Sequence, residues 1–394
     1  MLYPGDLLVQ PFPDGRRLIL PPHIEHPGEL TAHRPPLPAL TGIRFLAALY
    51  VVLFHSRLPV LLEAHHAHPL ALFLGNGALA VVLFFLLSGM ILSYTYQGQI
   101  ESIGGVRRFY EARIARVWPL YVISLGLSSL FNHTTPPLGV ALATLCMIQA
   151  WNPFNTEMAG AWNFVCWTLS TEALFYLIFP FAQRWLERRN MSVHVAVLIG
   201  LLVLSIGLRT SLHGFNSELQ WSYVPLAVIH VPEFLVGVCI GNLFNRRRVT
   251  LPRALPLPIG LWTTLAALAT LSCLCSSNGW AKALCPLGFA ALIYGLAVES
   301  SPLQWLLSRR ILLIAGKISY GVYLLQWPVK SAANIIASRY QLAASGTFPL
   351  YIVLLLVVSC AGFFGVEEPS RKLLRAAFSI WERARGKTIE LRQT

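Results

Sequence analysis

Arg44 and His55 both fall in the first long apolar run of the chain, which begins near Leu40. An ionisable group at membrane depth costs roughly 2.5–3.5 kcal/mol on insertion scales. A span that keeps two of them is using them. Eleven residues at about 100° each make three turns plus about 20°, with about 16 Å of rise. The two therefore share one helical face, turned toward a protein interior or a wet cavity. His55 suits a general base near neutral pH or a ligand; the alternative is a histidine that hydrogen-bonds a neighbouring helix. Arg44 suits a phosphate or carboxylate, or it snorkels to the interface.

Glu172 is the clear carboxylate within an apolar run, in Trp167-Thr168-Leu169-Ser170-Thr171-Glu172-Ala173-Leu174-Phe175-Tyr176. Counted along its segment it reaches a depth similar to His55, so the pair is expected to work as acid and base; the alternative is a structural pair with an Arg or Tyr. Arg113 and Arg116 are spaced i, i+3 and share a helix face. Two guanidiniums there suit a phosphate-rich ligand, and they serve equally as topology charges. Pro119 is expected to kink or break that helix. Ser88-Gly89 sits in the middle of the second apolar run. It permits close helix approach or offers a hydroxyl beside a tunnel, and it lacks the Gly-x-Ser-x-Gly context of a nucleophile elbow. His65, His66 and His68 with Glu63 have a metal-binding composition but no helical i, i+4 pair with a carboxylate, and no metal site is expected. Glu233, after Pro232, reads as a helix start.

These residues need elements that hold them in lipid. The 394 residues are 55% hydrophobic and 12% charged, with a mean hydropathy of +0.60; soluble domains carry about 25% charged residues. The apolar runs are about 20 residues long, unlike the alternating segments of about ten in an outer-membrane barrel. The fold expected is all-α, a polytopic transmembrane bundle of about ten spans. They are placed near 41–62, 70–96, 114–131, 163–183, 194–211, 223–245, 257–276, 281–299, 311–332 and 348–367. A further stretch at 138–151 is too short to cross and is read as re-entrant or interfacial.

The net charge of +13 raises nucleic acid as a partner, and its distribution argues against it. Most of the basic residues fall in clusters on alternate connections: Arg107, Arg108, Arg113 and Arg116; Arg184, Arg188 and Arg189; Arg246, Arg247, Arg248 and Arg253; Arg309 and Arg310; and the tail from Arg371. The positive-inside rule then puts both termini in the cytoplasm. Residues 1–38 form a Pro- and His-rich leader that is not a signal peptide, 39–370 the transmembrane domain, and 371–394 a basic tail. The seven cysteines contain no CxxC pair and read as small core residues.

Several motifs, in this order, resemble the acyltransferase-3 family of integral membrane acyltransferases, which includes bacterial O-antigen and exopolysaccharide O-acetylases. They are Thr41-Gly42-Ile43-Arg44 through His55, Phe84-Phe85-Leu86-Leu87-Ser88-Gly89, Arg113-Ile114-Ala115-Arg116-Val117-Trp118-Pro119-Leu120-Tyr121, and the Trp167–Tyr176 segment. Near the end come Gly316-Lys317-Ile318-Ser319-Tyr320-Gly321-Val322-Tyr323-Leu324 and Glu368-Pro369-Ser370-Arg371. The resemblance implies a cytoplasmic acyl-CoA donor, with acetyl-CoA expected, used as a substrate with no bound cofactor. It implies a hydroxyl acceptor on a carbohydrate, His55 as the essential residue, Arg44 as its partner, and Arg113 and Arg116 as the donor-binding pair. Ser88, Tyr121 and Trp167, within the matched motifs, are taken as substrate-binding. Thr41 stands where many members have Asp. Gln326 stands where a His often follows the Tyr-Leu motif, and is not counted as catalytic. No hydrolase-like domain is expected after the last span, so the membrane domain would complete the transfer alone or with a partner. The reading is a membrane O-acyltransferase with His55 as base and Glu172 beside it, partnered by acyl-CoA, a hydroxyl acceptor and the bilayer, with no nucleic acid. The alternative is a proton-coupled transporter or flippase of a lipid-linked sugar, with Arg44, His55 and Glu172 as its relay.

Overall fold

In lipid a helix satisfies its own backbone, and the apolar runs of this chain form helices. The computed structural model describes residues 34–56, 58–133, 135–152, 157–214, 225–250, 260–374 and 376–378. It also describes the backbone of a two-residue antiparallel ladder, Gln10–Pro11 with Arg17–Leu18. Residues 1–36 and 37–394 are separate units; the ladder belongs to the first and the helices to the second. Most of the tail beyond 371 lies outside the described residues.

The helices that matter here are α1 (Pro38–Phe54), α2 (Leu58–Ala64), α3 (His68–Gly75), α4 (Ala80–Tyr96), α5 (Ile103–Asn132), α6 (Leu138–Leu145) and α7 (Trp167–Glu187). They continue with α8 (Met191–Gly214), α9 (Val231–Thr250), α10 (Leu261–Leu274), α11 (Cys285–Val298), α12 (Arg310–Arg339) and α13 (Ala344–Gly362). Among the described residues, six segments are long and apolar enough to cross a membrane: His68–Tyr96, Ile103–Asn132, Phe164–Glu187, Met191–Ser211, Leu226–Arg246 and Ser345–Phe378. Taking α1 and α2, bent by 62°, as one span makes a seventh.

The remaining expected spans differ for physical reasons. Helices α10 and α11 have 14 residues each, about 21 Å of rise against a hydrocarbon core of about 30 Å. Helix α12 is long enough at 30 residues, but Lys317, Ser319, Gln326 and Lys330 interrupt its apolar run. The 138–151 stretch forms the short α6 and a single 3-10 turn, Gln149–Trp151. Pro119 was expected to kink or break α5, yet the helix continues through it from Ile103 to Asn132. The ring removes one backbone hydrogen bond, which a helix packed against neighbours tolerates.

Glycines set the tightest crossings. A Cβ on Gly89 would run into the carbonyl oxygen of Phe234, and one on Gly237 into that of Leu86, so α4 and α9 meet backbone to backbone. Small residues at such crossings let helices approach where lipid supplies no hydrophobic drive. Beside this crossing Asn242 of α9 donates to the Ser93 hydroxyl of α4 at 2.9 Å and to the Gln183 carbonyl of α7 at 3.0 Å. Gly316 of α12 likewise abuts the carbonyl of Thr41. This fixes α12 beside α1 close to Arg44. Helix α8 lies at the rim, leaving Val195, Ile199 and Val203 exposed, a surface suited to lipid.

Gly237→Val should force α4 and α9 apart and cost about 1–3 kcal/mol as an overpacking change. Gly126→Ala, with open space around its added methyl, should cost nothing. Thermal unfolding of the purified protein in detergent checks both, and equal midpoints for the two variants would contradict the crossing.

Candidate active site

Five helices wall a cavity in the bundle. Helix α1 supplies Arg44, α4 supplies Phe84 and Ser88, and α5 supplies Arg113 and Arg116; α7 adds Glu172 and Tyr176, and α12 adds Ser319, Tyr320 and Tyr323. The residues singled out in the sequence thus separate into those this cavity collects and those it does not.

Glu172 is held by two donors on one oxygen. Its Oε1 accepts from the Ser88 hydroxyl at 3.0 Å and from the Tyr176 hydroxyl at 2.7 Å. Tyr176 lies one helical turn further along α7, so one face carries both groups. Ser88 therefore faces the cavity while the adjacent Gly89 serves the crossing with α9. Arg113 donates from Nη2 to the Tyr96 hydroxyl at 3.3 Å, with its guanidinium 5.6 Å from the Tyr96 ring centre. Its Nε is buried with no hydrogen-bond partner among the described residues. An unsatisfied donor at a buried cation is costly, and a ligand acceptor would relieve it. Three guanidiniums line the cavity with the Glu172 carboxylate and outnumber the carboxylates near them, in a medium that screens poorly. The arrangement suits an anion.

Glu367, which the sequence reading passed over, also belongs near this cluster. It is buried in the π-helical turn Phe363–Glu367 and close enough to Arg44 and Arg116 to interact with both electrostatically. The adjacent Glu368-Pro369 motif was the available signal. A π-turn inside a helix commonly marks a functional position.

His55 lies at the other end of α1, as its C-cap. Its Nδ1 is 2.9 Å from the Gln326 carboxamide oxygen, and its backbone carbonyl accepts from Lys330 Nζ at 2.6 Å. The rings of Phe164 and Trp327 stand edge-on to the imidazole at 5.7 and 5.9 Å. The expected pairing of His55 with Glu172 is not formed. Glu172 is committed to Ser88 and Tyr176, and His55 to Gln326.

Two further expected site residues lie outside the cavity. Tyr121 is fully buried, donating to the Thr144 carbonyl at 2.7 Å and accepting from Gln149 at 3.3 Å. It ties α5 to the 138–151 segment. Trp167 packs against Phe85 and His230, with ring centres 6.4 and 5.7 Å apart. In the first loop His68 meets Glu63 at 2.8 Å on an exposed surface; among the described residues no group of His, Cys, Asp or Glu could hold a metal ion.

Glu233 does begin a helix, and does more than that. It is buried and accepts from Arg209 of α8 at 2.9 Å and from Ser205 at 3.0 Å. The pair bolts the rim helix α8 to α9.

An all-helical bundle with several spans and a buried arginine cluster is the frame of a multi-pass membrane protein. Residues 37–367 match the family described as an acyltransferase domain, acyltransferase-3, and the chain belongs to it. It is 26% identical over 379 residues to Acyltransferase MdmB of Streptomyces mycarofaciens, covering 86% of this chain and 92% of that protein. It is 23% identical over 385 residues to O-acetyltransferase OatA of Staphylococcus aureus (strain NCTC 8325 / PS 47), covering 89% of this chain and 60% of that relative's length. No solved structure matches the chain. The protein is an acyltransferase, and the transporter reading falls away.

Removing one partner of a buried ion pair costs about 3–5 kcal/mol because the other charge is stranded. Glu233→Ala should therefore destabilise strongly, and adding Arg209→Met should recover much of the loss. Unfolding of the single and double variants in detergent checks this; additive losses would show that the pair is uncoupled.

Proposed function

We propose that the protein is a membrane O-acyltransferase that moves an acyl group, acetyl in the simplest case, from cytoplasmic acyl-CoA to a hydroxyl of a carbohydrate acceptor, with His55 as the base. The observation that carries this reading is the division of labour along α1. Arg44 faces a cavity with two more guanidiniums, and His55 caps the same helix eleven residues on, about 16 Å away along the axis. An anionic carrier with a thioester at the end of a long flexible arm fits that separation. The family membership and an O-acetyltransferase among the relatives support it.

In this reading the carrier's phosphates meet Arg113 and Arg116, Arg44 steadies the arm, and Glu172, anchored by Ser88 and Tyr176, keeps the guanidiniums apart and placed. His55 takes the proton from the acceptor hydroxyl. The freed oxygen attacks the thioester carbonyl, the C–S bond breaks, and the proton leaves His55 for the departing thiolate. The products are an ester and free CoA. Basic connections on one side favour cytoplasmic termini in an inner membrane. The full complement of about ten spans then includes α10, α11 and α12, each shielded from lipid in part by its neighbours, with 1–38 as leader and 371–394 as tail.

Transfer of label from radiolabelled acetyl-CoA should be measured in membranes of the producing cell carrying wild type or variants at matched expression. His55→Ala should lower kcat by about 10²–10⁴, the usual contribution of a general base. Arg116→Ala should raise KM for acetyl-CoA by roughly tenfold or more, the loss of one charge-assisted contact, with kcat little changed. Wild-type transfer by His55→Ala would remove the base from the mechanism.

A further inference from the structure

Gln326 is more than a neighbour of His55. Its carboxamide is pinned at both ends: Nε2 donates to the backbone carbonyl of Tyr323 at 2.7 Å, and Oε1 faces His55 Nδ1 at 2.9 Å. Turning the amide over would set its oxygen against the Tyr323 carbonyl, two acceptors with no proton between them. The orientation is therefore fixed by the network. An amide oxygen can only accept, so Nδ1 must be the nitrogen that carries the proton. In a neutral imidazole the lone pair then sits on Nε2. Gln326 is buried at 1% exposure, so water does not compete for this bond.

The same helix holds the backbone of His55. Lys330, one turn beyond Gln326 on α12, donates to the His55 carbonyl, fixing the point from which the ring projects. Lys330 is the charged group set against the imidazole among the described residues. The rings of Phe164 and Trp327 confine it edge-on. Ser319, Tyr323, Gln326 and Lys330 fall at spacings of three and four on one face of α12, and that face runs from the cavity to His55.

We infer that Gln326 is a positioning residue that locks His55 in the Nδ1-protonated tautomer and so presents the Nε2 lone pair to the acceptor hydroxyl. The inference rests on His55 being the base, and it extends that reading to how the base is prepared. The position is one where the sequence alone gave no reason to expect a role for a neutral amide.

The test is ¹⁵N NMR of histidine-labelled full-length protein in lipid vesicles, at a pH above the titration of imidazole. The His55 signals are identified by their loss in His55→Ala. Wild type should show the Nδ1-protonated tautomer, and Gln326→Leu should shift His55 toward the Nε2-protonated form. In the transfer assay Gln326→Leu should lower kcat by about 10- to 100-fold, as loss of an orienting partner does, with both KM values unchanged. Gln326→Glu keeps the acceptor and adds a charge that stabilises the imidazolium. It should retain more activity than Gln326→Leu and move the acid limb of the pH–rate profile to higher pH. An Nε2-protonated His55 in wild type, or the same tautomer in wild type and Gln326→Leu, would overturn the inference. If instead the tautomer responds as expected while His55→Ala transfers acyl groups like wild type, the base assignment fails and the tautomer lock stands.

Discussion

Charge inside an apolar bundle is the constraint from which the rest of this structure follows. A guanidinium cannot be left against lipid, so three of them on two helices demand a cavity, a counter-charge and hydroxyl partners. Glu172, Ser88, Tyr176 and Tyr96 supply these from two further helices. The cluster is not balanced: three cations outnumber the two carboxylates near them, Glu172 and Glu367, and Arg113 Nε is buried with no hydrogen-bond partner among the described residues. A structure built only for stability would gain by replacing such a cluster with apolar side chains of similar volume. Under the proposed function, the anionic donor would complete the cluster.

Holding that cluster requires helices closer together than ordinary side chains allow. Gly89 and Gly237 bring α4 and α9 to backbone contact, and Gly316 does the same for α12 and α1. The first crossing turns Ser88 toward Glu172; the second brings Tyr320 and Tyr323 to the cavity that Arg44 lines. The glycines contribute no chemistry of their own. Their effect is to fix the rotation of each helix, which decides which of its polar residues face inward. A modest loosening at either crossing would act on the site through that rotation.

Much of this was legible in the sequence because polar residues in apolar runs are conspicuous. Arg44, Ser88, Arg113, Arg116 and Glu172 were chosen on that ground, and one cavity gathers all five. What the sequence reading missed was the partners: Glu172 is held by Ser88 and Tyr176, and His55 by Gln326, and distant pairs such as Ser88 with Glu172 are set by how the helices pack. Pro119 does not break α5, which runs through it from Ile103 to Asn132. Tyr121 and Trp167 came in with the motifs that contain them, and their side chains do not line this cavity. Gln326 is set aside because it stands where a His often follows the Tyr-Leu motif; its contact with an imidazole 271 positions away is visible only in the fold. Arg209 and Glu233 were each visible, but nothing local joined them.

The separation of the arginine cluster from His55 also shapes what the enzyme can discriminate. Selection of the donor's charged portion would occur at Arg44, Arg113 and Arg116, where binding energy is electrostatic and indifferent to the acyl group. Selection of acyl chain and acceptor would fall to the surroundings of His55, where Phe164 and Trp327 crowd the ring. An apolar wall discriminates weakly between chains differing by a methylene, by about 1–3 kcal/mol at most, whereas a misplaced base loses orders of magnitude in rate. Orientation of the acceptor hydroxyl toward a fixed imidazole is therefore the stronger filter available to this geometry. Helices α1 and α12, packed side by side through Thr41 and Gly316, carry both stations, so under the proposed function one helix pair would set the distance between donor charge and base.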